Sequence, residues 1–214
     1  MKKTNKKDFI TGACLLMAFA LWTVLVRFID VRAIGPHSSS VGFAMLNSFF
    51  HQLTGVHFWL YTVTDWLGLV PVGIAFCFAV LGLVQWIKRN RIFKVDASIL
   101  ALGVFYIAVI AAYMLFESVV VNYRPVLING YLEASYPSST TLLVLCVMPT
   151  AQMQLHSRIK SQALRRTASL AITAFCAFMV VGRLISGVHW LTDIIGGALL
   201  SAGLVMIYRP FAEN

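Results

Sequence analysis

The sequence predicts an all-α protein: an integral membrane bundle of six transmembrane helices with both termini cytoplasmic. Three observations predict it. The 214 residues are 59% apolar and only 12% charged, too oily for a soluble domain. The apolar residues fall in long runs, each near the roughly 20 residues a bilayer crossing needs. The 17 lysines and arginines gather in short stretches beside those runs, as lipid-flanking loops do. A net charge of +9 distributed this way argues for membrane lipids and against nucleic acid as a partner. One membrane-embedded domain, residues 1–214, is expected, and nothing in the chain signals its oligomeric state.

The first span runs from Phe9 to about Phe28, after Lys2, Lys3, Lys6 and Lys7. Ala18-Phe19-Ala20 resembles a cleavage site, but the apolar run continues through Leu21 to Val26, so a retained span is expected. Gly35-Pro36-His37 reads as a loop. Val41 to Leu53 reads as a helix lying flat in the interface, with Phe43, Leu46, Phe50 and Leu53 on one side. The second span is about Trp59 to Trp86, with a kink expected at Pro71. The third is about Ala97 to Phe116. The fourth begins at Pro137-Ser138-Ser139 and ends near Met153. The fifth is about Ala168 to Leu184 and the sixth about Trp190 to Tyr208. In the sixth, Gly197 and Ser201 form a small-residue pair suited to close helix contact. Trp59, Trp66, Trp86 and Trp190 fall near span ends, as interfacial anchors should. The four cysteines have no CxxC spacing, so neither a disulfide framework nor a zinc site is expected.

Charge sets the orientation. With six spans, the N-terminus, the 88–94 loop, the 157–166 loop and Arg209 share a side that holds 13 of the 17 basic residues; the other holds Arg27, Arg32, Arg124 and Arg183. The positive-inside rule then places the termini in the cytoplasm of a plasma membrane.

The scarce outer charges coincide with other polar residues. Arg183, His189 and Asp193 occupy one short run at a helix mouth, where such residues are costly to place. A four-residue spacing puts His189 and Asp193 on one helical face, one turn apart. There Asp193 can hold one ring nitrogen and leave the other free as nucleophile or base. Arg124 precedes Pro125, and Ser138, Ser139, Thr140 and Thr141 open the fourth span. Arginine contacts phosphate through two N–H groups, a helix start adds aligned N–H donors, and phosphoryl transfer needs mainly positioning and charge neutralisation. Each residue also has a plainer reading: Arg124 as a headgroup anchor, the hydroxyl run as a helix cap, Glu133 as a solvated loop residue, and Asp65 as a partner of Arg27 or Arg32.

Taken together, the segments Glu117–Pro125, Tyr136–Thr141 and Arg183–Asp193 resemble the type 2 phosphatidic acid phosphatase family, whose pattern is K-x6-R-P, then P-S-G-H, then S-R-x5-H-x3-D. The third match is good: Arg183, five residues, His189, three residues, Asp193. The resemblance implies a six-helix bundle that dephosphorylates a lipid phosphate or polyprenyl diphosphate at the outer membrane face. It implies that His189 attacks phosphorus to form a phosphohistidine and that Asp193 orients it. Arg124 and Arg183 would hold the phosphate, with Ser138, Ser139 and Thr140 at the helix start. No carboxylate cluster suited to Mg²⁺ is visible, so a route without metal or cofactor is expected.

The departures are Gly182 for serine, Ser139 for glycine, Glu117 for lysine and Thr140 for the second histidine. Threonine cannot protonate a leaving oxygen near neutral pH. Three repairs are open. A diphosphate leaving group needs little help; a partly buried Glu117 could serve as the acid; or His37, His51 or His57 could reach in. The alternative is a catalytically impaired member that binds or transports a phosphorylated lipid.

Overall fold

The computed structural model describes residues 3–212; Lys2, part of the N-terminal basic cluster, lies outside them. Helix α1 (Lys3–Phe28) leads into a small antiparallel pair, β1 (Arg32–Ala33) with β2 (Ser40–Val41), and then α2 (Ala44–Thr54). Next come α3 (Phe58–Leu67), α4 (Leu69–Arg89), α5 (Ala97–Ser118), α6 (Ser139–Arg158), α7 (Gln162–Ile185) and α8 (Leu191–Ala212). The long helices extend beyond the expected spans because polar first and last turns, such as Gln162 to Arg166, continue the helix past its apolar stretch.

Contacts place the two ends of the bundle. Asp96 pairs with Arg89 at 2.9 Å and lies 3.8 Å from Arg158. Phe9 packs edge-on against Phe211. These residues mark one end. Arg27, Arg124, Arg183 and His189 lie at the other, where Arg27 donates to the Val120 carbonyl. Among the described residues five segments are long and apolar enough to cross a membrane, with α3 and α4 counting as one. The chain is therefore a multi-pass membrane protein. Helix α6, expected as the fourth span, has the length but not the apolarity. It packs against α4, α5, α7 and α8, so its buried face carries Thr140, Thr141, Thr150 and Gln154 instead of lipid-facing side chains.

The break between α3 and α4 falls at Gly68 rather than at Pro71. Proline lacks the N–H that would bond to the residue four back, here Leu67, and its ring presses on that carbonyl. The disturbance therefore appears one turn earlier. In α2 the outward stripe is Met45, Phe49 and Leu53, all exposed, while Asn47 is fully buried and bonds Gly42 and Thr192. Phe43 lies outside the helix, as its N-cap. Trp59 and Trp66 are exposed as expected of anchors, but Trp190 is buried. Its indole donates to the Tyr123 carbonyl at 2.7 Å, a structural tie and not a lipid contact.

Helix α8 is the hub, packed against α1, α5, α6 and α2. Between membrane helices apolar burial drives little, so close approach and interhelical hydrogen bonds carry the association. Tyr106 bonds Thr150 at 3.2 Å, tying α5 to α6. Gln154 bonds Tyr208, tying α6 to α8. A side chain at Gly197 would lie 3.1 Å from the Ser138 carbonyl, and Ser201 is fully buried, so this pair does mark the α6–α8 contact.

Gly196 is tighter. A Cβ there would sit 2.6 Å from the Tyr136 ring. That ring cannot retreat: Phe19 and Phe116 flank it and its hydroxyl bonds Thr23 at 2.7 Å. Gly196→Ala should therefore cost about 1–3 kcal/mol through overpacking. A lowered unfolding midpoint in detergent checks this.

Candidate active site

The site is built from four segments. The first is a loop between α5 and α6. Its two arms pair as a short antiparallel ribbon: Tyr123 bridges Ala134, Arg124 N–H donates to the Glu133 carbonyl at 3.0 Å, and Ser135 N–H to the Asn122 carbonyl at 2.9 Å. Arg124 and Ser135 thus come from one rigid piece. Nothing in the sequence singles out Ser135 or predicts the ion pair of Glu133. The alternating pattern is too short and interrupted to mark a ribbon.

The second segment is the start of α6. Ser138 caps the helix, accepting from Thr141 N–H, and its own N–H donates to the Asp193 carbonyl at 3.1 Å. Both the capping reading and proximity to the histidine segment therefore hold for Ser138.

The third is the turn from α7 into α8. Here the expected helical face for His189 and Asp193 needs correction. Helix α8 starts at Leu191, so His189 precedes it, in a turn where Gly187 has φ +68°. A Cβ at Gly187 would lie 2.0 Å from the Gly55 carbonyl, which together with that left-handed backbone requires glycine. Asp193 sits in the first turn of α8, and its Oδ2 accepts the Trp190 N–H at 2.8 Å, closing a reciprocal cap. The His189 Nδ1 to Asp193 Oδ2 distance is 3.7 Å, beyond hydrogen-bond reach. Ser135 lies between them: its Oγ is 3.1 Å from Nδ1 and donates to Oδ2.

The fourth is α3. Asp65 pairs with Arg183 Nη2 at 3.4 Å, not with Arg27 or Arg32. Arg32 is taken by Asp30 and Arg27 by a carbonyl. The spacing between residues 65 and 183 hides this contact from sequence reading.

Arg183 is 2% exposed. It donates to Thr140 Oγ1 at 2.6 Å and to Thr64 Oγ1 at 3.4 Å, and its guanidinium lies 4.9 Å from the Tyr61 ring centroid. Arg124 is also buried. Its Nη1 is 3.1 Å from His189 Nε2 and its Nε is 3.0 Å from Glu133, which is therefore an ion-pair partner and not a free loop residue. Burial, followed by the charges of Arg124 and Arg183, holds the His189 pKa well below its ordinary 6.5. The imidazole is neutral.

Arg124, His189, Ser135, Ser139, Glu133 and Glu117 face one cavity of about 300 Å³. Glu117 is exposed at its wall, so the burial that a general-acid role for this carboxyl requires is missing. The other proposed proton sources do not line it. His51 packs on Trp190, His57 bonds the Thr54 carbonyl, and His37 is exposed. A second cavity of about 350 Å³ adjoins the first, sharing Tyr113, Ser139 and Leu142 with it. Its wall is mostly apolar, with Leu69, Val109, Ile110 and Leu143, and holds Asp65 and Thr140 at one side. Arg183 lies behind Thr140 and lines neither. Among the described residues no three His, Cys, Asp or Glu side chains converge as metal ligands. Guanidinium groups and a helix start suit an anion, and a neutral imidazole suits nucleophilic attack.

A bundle of membrane-spanning helices, closed at one end around a buried histidine and two buried arginines, defines a multi-pass membrane protein with a cation-walled pocket. Residues 118–214 match the family model of the PAP2 superfamily, which supports membership of that family. The matched stretch includes Arg124, Ser135, Ser138, Ser139, Thr140, Arg183, His189 and Asp193, whereas Glu117 and Asp65 lie outside it. Among solved structures the fold is similar to the crystal structure of the first transmembrane PAP2 type phosphatidylglycerolphosphate phosphatase from Bacillus subtilis. The TM-score is 0.59 at 17% identity, over 94% of this chain and 96% of that one. No curated protein matches the chain.

Proposed function

We propose that the chain is a lipid phosphatase that works through a phosphohistidine on His189, without metal or cofactor. One observation carries this: a neutral, buried imidazole faces a guanidinium at 3.1 Å inside a polar cavity that opens onto an apolar groove. The groove suits a hydrocarbon chain and the polar cavity suits its phosphate, which supports a phosphorylated lipid as substrate. The Nε2 lone pair forms the N–P bond while the P–O bond to the lipid breaks, and the leaving oxygen departs with the electron pair. Water then attacks phosphorus, releasing phosphate and restoring the imidazole. Arg124 and Ser139 in the cavity position the phosphoryl group, Thr140 adjoins them with Arg183 behind it adding positive charge, and Ser138 caps the start of α6.

Thr140 bonds Arg183 and supplies no acid, and exposed Glu117 is left as the only carboxyl of the cavity that pairs with no arginine. A polyprenyl diphosphate, whose leaving group is a lipid monophosphate, is therefore the better substrate. Phosphate release from vesicles carrying either a polyprenyl diphosphate or a phosphatidate tests both points. Faster release from the diphosphate is expected; equal rates remove that preference. Binding of both lipids without release from either supports the second reading, a family member that holds or moves a phosphorylated lipid. The charge asymmetry of the loops, with six passes and cytoplasmic termini, supports an extracytoplasmic site in a plasma membrane. The whole chain serves as one phosphatase domain.

The pH dependence follows from the imidazole. Protonation at Nε2 removes the attacking lone pair, so the rate falls as pH drops through the His189 pKa. Because that pKa lies well below 6.5, activity should persist through pH 6.5 and its acid limb should lie lower. A kcat/KM profile with its acid limb at or above 6.5 would contradict a neutral, buried nucleophile.

A further inference from the structure

The geometry points to Ser135 as the positioning residue through which Asp193 holds the nucleophilic imidazole, an inference that rests on the phosphohistidine reading. Asp193 and His189 do not touch: the gap is 3.7 Å. Ser135 Oγ fills it, 3.1 Å from Nδ1 and bonded to Oδ2. All three residues are 3% exposed or less, so solvent offers no substitute partner.

The proton count at these atoms selects one arrangement. The Asp193 carboxylate is ringed by donors: Trp190 N–H at 2.8 Å and Asn122 Nδ2 at 3.4 Å, besides the serine. It is an acceptor there. A hydroxyl has one hydrogen, and this one is given to Asp193. Ser135 can then offer Nδ1 only a lone pair, so Nδ1 must carry the ring proton. At the far side of the ring, Arg124 Nη1 can only donate, so Nε2 must present a lone pair to it. Two independent contacts thus specify the same tautomer, the one with its free lone pair on the nitrogen that faces the cavity. When Nε2 bonds to phosphorus the ring becomes cationic. Its Nδ1–H points at the serine oxygen, and the serine hydrogen at the carboxylate, so the stabilising charge of Asp193 acts through Ser135 without any proton leaving its atom. The ribbon pairing of residues 122–124 with 133–135 holds Ser135 in place.

The test is ¹⁵N NMR of histidine-labelled protein in detergent, with the His189 signals identified by their loss in His189→Gln. Wild type should show a protonated Nδ1 and a bare Nε2. Ser135→Ala should shift the Nδ1–H signal away from its wild-type position while Arg124 still keeps Nε2 bare, and Ser135→Thr, which keeps the hydroxyl, should retain the wild-type shift. Phosphate release from polyprenyl diphosphate vesicles should fall about 10–100-fold in Ser135→Ala. The double variant with Asp193→Asn should be no slower than the slower single variant, because both interrupt one linkage. A wild-type ring protonated on Nε2, an unchanged Nδ1–H signal in Ser135→Ala, or multiplicative losses in the double variant would overturn the assignment. The spectra need no turnover: the expected signature in a protein that releases no phosphate leaves Ser135 in place and removes the phosphatase reading instead.

Discussion

His189→Ala should reduce phosphate release on the order of 10⁴-fold or more, to the level of the vesicles alone. In the proposed mechanism His189 forms the bond that defines the intermediate, so no other group in the cavity should replace it. Wild-type protein quenched during turnover of a ³²P-labelled lipid should carry acid-labile, base-stable label, and the variant none. The substitution also leaves Arg124 Nη1 and Ser135 Oγ without their ring partner, a cost of about 1–3 kcal/mol for buried groups. Folding must therefore be followed beside activity. Retained size-exclusion behaviour with lost label isolates the chemical role. Equal label on wild type and variant would show that phosphorus is attacked by something else.

Arg183→Ala should lower the rate about 10²–10³-fold, the range for losing a preorganised donor to a developing charge. Arg183→Lys should recover little of it. The guanidinium spans Thr140, Thr64 and Asp65 at once and lies against the Tyr61 ring, and an ammonium cannot reproduce that planar set of contacts. Asp65 supplies the control. Its side chain is 58% exposed and draws on the same guanidinium that the proposed phosphate contact uses. Asp65→Asn keeps the cation and weakens its competitor, so inorganic phosphate should inhibit this variant at several-fold lower concentration than wild type. If Arg183→Ala loses activity only in proportion to loss of folded protein, the arginine is a structural tie between α3, α6 and α7 and not a phosphate ligand.

The fold and the site differ in how much of them could be read from the chain. Long apolar runs and basic loops are local facts, and a bilayer makes local hydrophobicity decisive. Accordingly the helices lie close to where the sequence predicts them. The exception is α6, whose surroundings are protein on most sides, so threonines and a glutamine share its buried face with apolar residues such as Leu142, Val144 and Met148. The grouping of Arg183, His189 and Asp193 is legible because the three lie within eleven residues. Spacing alone, though, suggested a helical His–Asp contact where the chain makes a turn at Gly187 and inserts a serine.

What the sequence by itself determined is therefore the helical membrane bundle, the resemblance to a family, and the candidate site residues with their order along the chain. Tertiary structure alone decided who touches whom. Asp65 finds Arg183 across 118 positions, and Ser135 reaches His189 across 54. The physical reason is that periodicity encodes which face of a helix is apolar, whereas a buried charge is satisfied by whatever donor or acceptor packing brings within about 3 Å. That neighbour can come from any part of the chain.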